Sequence, residues 1–168
     1  MNITVRITAE LLSSIRQDLR RQHAYAHERV GFISAGLAGA GNNLLILARE
    51  YRPDADDDYL DDRRFGAVMG SNAIRKAQQW ALSDGVALLH VHTHGGRGIP
   101  RFSKDDLSEN PKFIADFFKV APQCAHGAIV LSDTAARGQI WLQRGGADFP
   151  VDTFQVIGAP LVTWQVPA

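Results

Sequence analysis

The chain begins with an alternation of apolar and polar residues that is typical of a half-buried strand. Ile3, Val5 and Ile7 are separated by polar residues, and side chains two apart lie on the same face of a strand. After Thr8 the apolar period becomes that of a helix, and the Thr8 hydroxyl can cap its first turn. The helical apolar face consists of Leu11, Leu12, Ile15 and Leu19. The pattern predicts a strand followed by an amphipathic helix.

The middle of the chain predicts a hairpin, a loop and a second helix. VGFISAGL and NLLILAREY are β-prone runs, and the AGAGNN segment between them suits a tight antiparallel turn. Residues 53–64 hold six Asp and few apolar residues, which predicts an exposed loop. A helix from about Ser71 to Leu82 would bury its small apolar residues and Trp80, and it would end before Gly85.

The second half predicts a buried strand, a further helix and closing strands. VALLHVHTH is apolar until its polar end, Ser103 begins a short helix, and Pro111 interrupts or restarts that helix. GAIVLSD and GQIWLQR form another hairpin-like pair, and FQVIGAPLVTWQV supplies one or two last strands. This order of elements predicts an α/β fold with a mixed, mostly antiparallel sheet flanked by helices.

Composition limits the classes of protein. A length of 168 residues is typical of one domain, so we expect residues 1–168 to form a single domain. Lys plus Arg and Asp plus Glu both total 18, and this balance argues against a nucleic-acid or membrane-surface binder. The one cysteine, Cys124, excludes an internal disulfide, and neither a secretory signal nor a long apolar segment is evident. We expect a cytoplasmic protein.

Three alternating histidines, His90, His92 and His94, mark the polar end of the predicted central strand. Hydrolytic zinc sites use three protein ligands, mainly imidazole nitrogen and carboxylate oxygen, and leave the fourth position to water. His92 and His94 share a strand face and can reach one metal ion. Asp106 is the nearest suitable third ligand, and Asp105 is the alternative.

The Ser103-x-x-Asp106 pair also has a purely structural interpretation, because this spacing before an apolar run is typical of a helix capping box. The two interpretations are compatible. A capping Ser103 still presents its hydroxyl close to a metal ion, and Asp106 can face the strand end from the first helical turn.

These residues together resemble the JAMM motif of the MPN/JAB zinc metalloproteases. The motif positions are matched by Glu28 in HERVGF, the His92-Thr93-His94 triplet, Ser103 and Asp106. Eight residues, Gly95 to Phe102, separate the second histidine from the serine, one more than is usual in that family, and Gly95 stands where the family has proline.

The resemblance implies a single MPN/JAB-like domain that binds one Zn²⁺ per chain, with a bound water. His92, His94 and Asp106 would hold the metal, Glu28 would act as general base, and Ser103 would stabilise the oxyanion. His90 would have a supporting or structural role.

The resemblance also implies a substrate: the amide bond after the C-terminal Gly of a ubiquitin-like protein. GGRGIPRFS is similar to the prokaryotic JAB peptidases that accompany bacterial E1-like and E2-like enzymes, including those of antiviral operons. The partners would then be a ubiquitin-like protein, its conjugates and those enzymes, with no nucleic acid and no membrane.

Other functions remain open at this point. The same residues would serve a peptidase that trims a sulfur-carrier protein, and a metal-free MPN scaffold would bind partners without catalysis. A zinc deaminase is excluded because its signature needs a Cys-x-x-Cys pair. The acidic residues between Asp54 and Asp62 could attract a basic tail or target lysine, although a solubilising loop is the simpler interpretation.

Overall fold

The computed structural model describes residues 1–166. These residues form one mixed sheet of nine strands. The strands are β1 (Asn2–Thr8), β2 (Val30–Ala40), β3 (Asn43–Pro53), β4 (Ala87–Thr93), β5 (His126–Leu131), β6 (Ala136–Trp141), β7 (Asp148–Pro150), β8 (Thr153–Ile157) and β9 (Val162–Gln165). The helices are α1 (Ala9–Leu19), α2 (Ser71–Asp84) and α3 (Lys104–Phe117), with a 3₁₀ helix at Asp56–Asp58.

The strand order is β7-β6-β5-β4-β2-β3-β1-β8-β9. β1 is parallel to both β3 and β8, and β4 is parallel to β5, whereas the other neighbouring pairs are antiparallel. The predicted α/β class with a mixed, mostly antiparallel sheet is therefore confirmed. So are the two predicted pairs, β2 with β3 and β5 with β6. The closing segment forms two strands, β8 and β9, which also pair antiparallel.

The helices cover opposite faces of the sheet. Thr8 caps α1 as predicted, because its hydroxyl accepts a hydrogen bond from the backbone N–H of Leu11. Leu12 and Ile15 of α1 surround one small cavity of about 20 Å³ together with sheet residues such as Ile33. On the other face α3 packs its aromatic side chains against β2 and β4, and α2 lies beside α3.

The segment predicted to be an exposed loop, residues 53–64, is exposed at most of its positions, as predicted, but it contains one 3₁₀ helix and three buried residues. Asp54, Asp58 and Tyr59 are each at least 94% buried. The Tyr59 hydroxyl donates to the carbonyl of Val30 and accepts from its N–H, and Lys76 forms an ion pair with Asp58. The prediction missed these three positions, and for Asp58 the reason is that a carboxylate with a cationic partner, here Lys76, can be buried beside an apolar surface.

Pro111 does not interrupt the helix, contrary to one of the sequence predictions. α3 runs without a break from Lys104 to Phe117 and contains Pro111. Proline removes the N–H that would bond the carbonyl four residues earlier, at Leu107. Both Pro111 and Leu107 are exposed, so water can bond that carbonyl and the helix tolerates the proline.

None of the helices in residues 1–166 is long and apolar enough to cross a bilayer.

Candidate metal centre

The candidate site lies where β4 ends and α3 begins. His92 pairs in register with Val30 at the start of β2, so Glu28 precedes the neighbouring strand end. Asp106 lies in the first turn of α3. These three segments meet because antiparallel pairing brings the start of β2 beside the end of β4. The fold thus assembles residues that are far apart in the sequence.

The two imidazoles and Asp106 converge at short range. Nε2 of His92 is 3.1 Å from Nε2 of His94. One carboxylate oxygen of Asp106 is 3.3 Å from the His92 nitrogen, and the other is 3.3 Å from the His94 nitrogen. The Glu28 carboxylate lies farther out, with its Oε1 4.0 Å from Nε2 of His94.

These separations fit a small tetrahedral cation. Bonds of about 2.0 to 2.1 Å to imidazole nitrogen or carboxylate oxygen place tetrahedral ligand atoms about 3.3 Å apart. The closest distances from His92 to His94 and from each histidine to Asp106 agree with that spacing to within about 0.3 Å. A group of two neutral imidazoles and one carboxylate also suits Zn²⁺ chemically.

Two carboxylates compete for the role of third ligand. Glu28 forms a possible metal-binding group with the histidines, because one ligand atom from each of the three lies within 4.8 Å of the others. Asp106 is nearer, and its side chain reaches both histidines. Asp105 lines the same cavity but forms no ion pair with either histidine among the described residues.

A capping box holds Asp106 in place. The Ser103 hydroxyl accepts from the Asp106 N–H at 3.0 Å, and the Asp106 carboxylate accepts from the Ser103 N–H at 2.7 Å. Burial raises the pKa of Asp106, but hydrogen bonds from His92 and Ser103 lower it by more. The carboxylate is therefore ionised at neutral pH, as a metal ligand must be.

Glu28 is positioned by the loop that precedes α2. The carbonyl of Gly66 accepts hydrogen bonds from the N–H groups of His27 and Glu28. A Cβ atom at position 66 would lie 2.6 Å from Oε2 of Glu28, so any other residue there would require the Glu28 side chain to leave this position. Nothing in the sequence pattern indicates this contact, because the two residues are 38 positions apart.

Arg29 fixes the chain next to Glu28. Its guanidinium is buried and donates to the carbonyls of Arg21 and Gln22, and it forms an ion pair with Asp56. These contacts tie the turn after α1 and the 3₁₀ helix to the start of β2. Arg29 therefore supports the position of Glu28, and sequence reasoning missed it.

The loop between His94 and Ser103 turns sharply at its glycines. Gly95, Gly96 and Gly98 all have positive φ values, between 63° and 86°, which side chains disfavour. The loop is attached at its base, since the Gly96 carbonyl accepts from the Asp133 N–H and the Gly98 N–H donates to Thr134. This loop bends into a turn, and Ser103 follows it at the start of α3.

A cavity of about 480 Å³ opens beside the site. Its walls include Val30, Met69 and Phe113, and His90 and Asn110 also line it. Burial and then the neighbouring His92 lower the pKa of His90 to about 3, so this imidazole is neutral.

Comparisons with known proteins give no family. No protein-family profile and no curated protein sequence matches this chain. Among solved structures the chain is similar to the STIL N-terminal domain of Trichoplax adhaerens, with a TM-score of 0.42 and 11% sequence identity. The match covers 83% of this chain and 41% of that chain, so this chain spans less than half of its length. A likeness of this size carries no functional argument, and the site is interpreted from its own geometry.

Proposed function

We propose that this chain is a JAMM-type zinc metallopeptidase that hydrolyses the amide bond after the C-terminal glycine of a ubiquitin-like protein. The observation that carries the proposal is the convergence of two imidazoles and Asp106 at 3.1 to 3.3 Å, with Glu28 set back from them. The sequence motif that resembles this family supplies the substrate class. His92, His94 and Asp106 would hold the metal.

Glu28 is suited to move a proton. A bound zinc ion lowers the pKa of water and polarises a substrate carbonyl. Oε1 of Glu28 lies 4.0 Å from Nε2 of His94, and the Glu28 side chain is 32% exposed, so a water and a substrate can reach it. It can accept the water proton and return it to the leaving amine, a role worth roughly 10²–10⁴-fold in rate.

Ser103 is suited to stabilise negative charge on the substrate oxygen. Its Oγ accepts one hydrogen bond, from the Asp106 N–H, and its own proton remains available to donate. A single such donor contributes about 3 to 4 kcal/mol to the transition state in comparable sites. The helix cap orients this hydroxyl before substrate binds.

The proposed setting is a bacterial conjugation pathway, in which the enzyme would release ubiquitin-like proteins from target lysines or process their precursors. This setting rests on the resemblance of GGRGIPRFS to the prokaryotic JAB peptidases. E1-like and E2-like enzymes would be its partners. Processing of a sulfur-carrier protein would use the same residues.

The direct test is cleavage of a panel of ubiquitin-like fusions, with the cut site read by mass spectrometry. We expect cleavage after the terminal glycine that stops with a chelator and returns with zinc. Glu28→Gln should retain the metal and lose about 10²-fold or more in rate, because it cannot take up a proton.

Glu109→Gln is the matched control, because Glu109 lines the same cavity but its carboxylate pairs with Lys112. This variant should keep near wild-type activity. Equal rates for wild type and Glu28→Gln, or cleavage that persists in chelator, would contradict the proposal.

A further inference from the structure

A group of buried nitrogens lies below the metal-binding side chains. Both ring nitrogens of His90, Nδ1 of His92 and Nδ2 of Asn110 are buried and have no hydrogen-bond partner within residues 1–166. His90 is 5% exposed, and the other two residues are 1% exposed. Buried polar groups in proteins are almost always hydrogen-bonded, so this concentration indicates a bound partner.

The fold brings these residues together on facing elements. His90 and His92 lie two apart on one face of β4, with ring centroids 5.4 Å apart. Asn110 lies one helical turn after Asp106, which contacts His92, and just before Phe113, whose ring centroid is 5.0 Å from that of His90. Asn110 therefore lies on the side of α3 that is turned to β4, and it lines the same cavity as both histidines.

The residues around these nitrogens determine which chemical group could bind to them. The cavity that His90 and Asn110 line has apolar walls from Val30, Met69, Ile74 and Phe113. A neutral imidazole offers one donor and one acceptor, and the Asn110 Nδ2 offers donors. A neutral group that both donates and accepts hydrogen bonds matches the polar atoms of His90 and Asn110. An unpaired charge or a purely apolar group would leave polar atoms without a hydrogen-bond partner.

We propose that His90 and Asn110 form a binding site for a small neutral hydrogen-bonding group beneath the metal ligands. Two sources share that chemistry: an internal water, or the carboxamide or hydroxyl end of a substrate side chain that enters the cavity. The cavity of about 480 Å³ is far larger than one water needs. A side chain with a short apolar stem and a polar tip would fill it.

The test uses nitrogen-15 NMR of the zinc-loaded protein, titrated with acetamide and with acetone. Acetamide both donates and accepts hydrogen bonds, whereas acetone of similar size only accepts. If a side chain group is the occupant, acetamide will shift the His90 ring and Asn110 side-chain signals saturably, and acetone will bind about ten-fold more weakly. His90→Phe and Asn110→Leu should each remove the acetamide response, whereas Met69→Leu, on the same cavity wall, should keep it.

If an internal water is the occupant, acetamide will leave both signals unchanged and a long-lived water will show cross-relaxation with the Asn110 amide. The absence of both effects in the wild-type protein would overturn the inference. This result comes from the wild-type protein alone, so it does not depend on whether any variant folds. The titration also does not depend on catalysis. A protein that cleaves no fusion would refute the proposed function and leave this test intact.

If the proposed function holds, the site formed by His90 and Asn110 also affects which substrates are cleaved. Fusions with glutamine or asparagine directly after the terminal glycine should be cleaved about ten-fold faster than fusions with leucine there, when a side chain is the occupant.

Discussion

Glycine at position 66 is the residue on which the placement of Glu28 most directly depends. Gly66→Ala would place a Cβ atom 2.6 Å from the Glu28 carboxylate, so the side chain must move. We expect the cleavage rate to fall about 10- to 100-fold while zinc binding stays intact, because His92, His94 and Asp106 are untouched. Steady-state kinetics and metal analysis of the purified variant measure the two effects.

Gly39→Ala is the control for this change, because its Cβ would meet only one atom within 4 Å, at an ordinary 3.5 Å. It should behave as wild type. If Gly66→Ala retained full activity, Glu28 would not be the proton acceptor in the position described.

For single residues, the sequence indicated side chains with distinctive chemistry but not the residues that hold them in position. His92 and His94 could be selected from the strand period and metal chemistry, whereas the choice of Asp106 over Asp105 came from the resemblance of the Ser103-x-x-Asp106 spacing to the JAMM motif. Gly66 and Arg29 act through backbone contacts and burial between distant segments. Such contacts leave no local pattern in a single sequence.

The start of α3 combines a structural and a proposed chemical role in Ser103, and substitution can separate them. Ser103→Ala should lower the free energy of unfolding by about 1 kcal/mol, because the helix loses its cap. It should also lower the cleavage rate by about 10²-fold or more, since an oxyanion donor is lost. Urea unfolding and kinetics on the same preparations measure both.

Ser103→Thr keeps a hydroxyl at the cap and should restore both properties to a large extent. Loss of stability alone in Ser103→Ala, with an unchanged rate, would mean that Ser103 only caps the helix.

The folded segment between β3 and α2 makes a prediction about pH. Burial, and next the nearby Asp58, raise the pKa of Asp54 from 3.8 to about 7. The folded protein thus favours protonated Asp54, and this contribution to stability is complete below pH 4 and is lost as the pH rises through 7. Asp54→Asn should therefore be more stable than wild type at pH 8, by up to about 4 kcal/mol, with little difference at pH 4.

Urea unfolding at a series of pH values measures this difference, and Asp57→Asn, at an exposed neighbour, should follow the wild-type curve. A difference between wild type and Asp54→Asn that does not grow with pH would contradict the described burial of Asp54.

At the element scale, strands and helix starts were predictable because they depend on local period and capping chemistry. The Thr8 and Ser103 caps are examples. The buried part of residues 53–64 was not predictable, because the Asp58 carboxylate is stabilised by Lys76, which comes from another element. A local count of charges contains no information about such partners.

The whole molecule depends on long-range strand pairing that a single sequence does not specify. The parallel pairs of β1 with β8 and of β4 with β5 join segments separated by other elements. Parallel pairing of this kind needs a crossover connection, and α3 provides it between β4 and β5. That crossover is also what carries Ser103 and Asp106 back to the histidine strand, so the fold and the site share one cause.

The central claim is that His92, His94 and Asp106 hold one divalent cation. Its most direct test is the zinc content of purified protein after incubation with zinc and dialysis. Wild type and Glu28→Gln should each retain about one zinc ion per chain, whereas His92→Ala and Asp106→Ala should retain little. Wild-type protein that retains no zinc, or an Asp106→Ala variant that retains it fully while Glu28→Gln does not, would contradict this account.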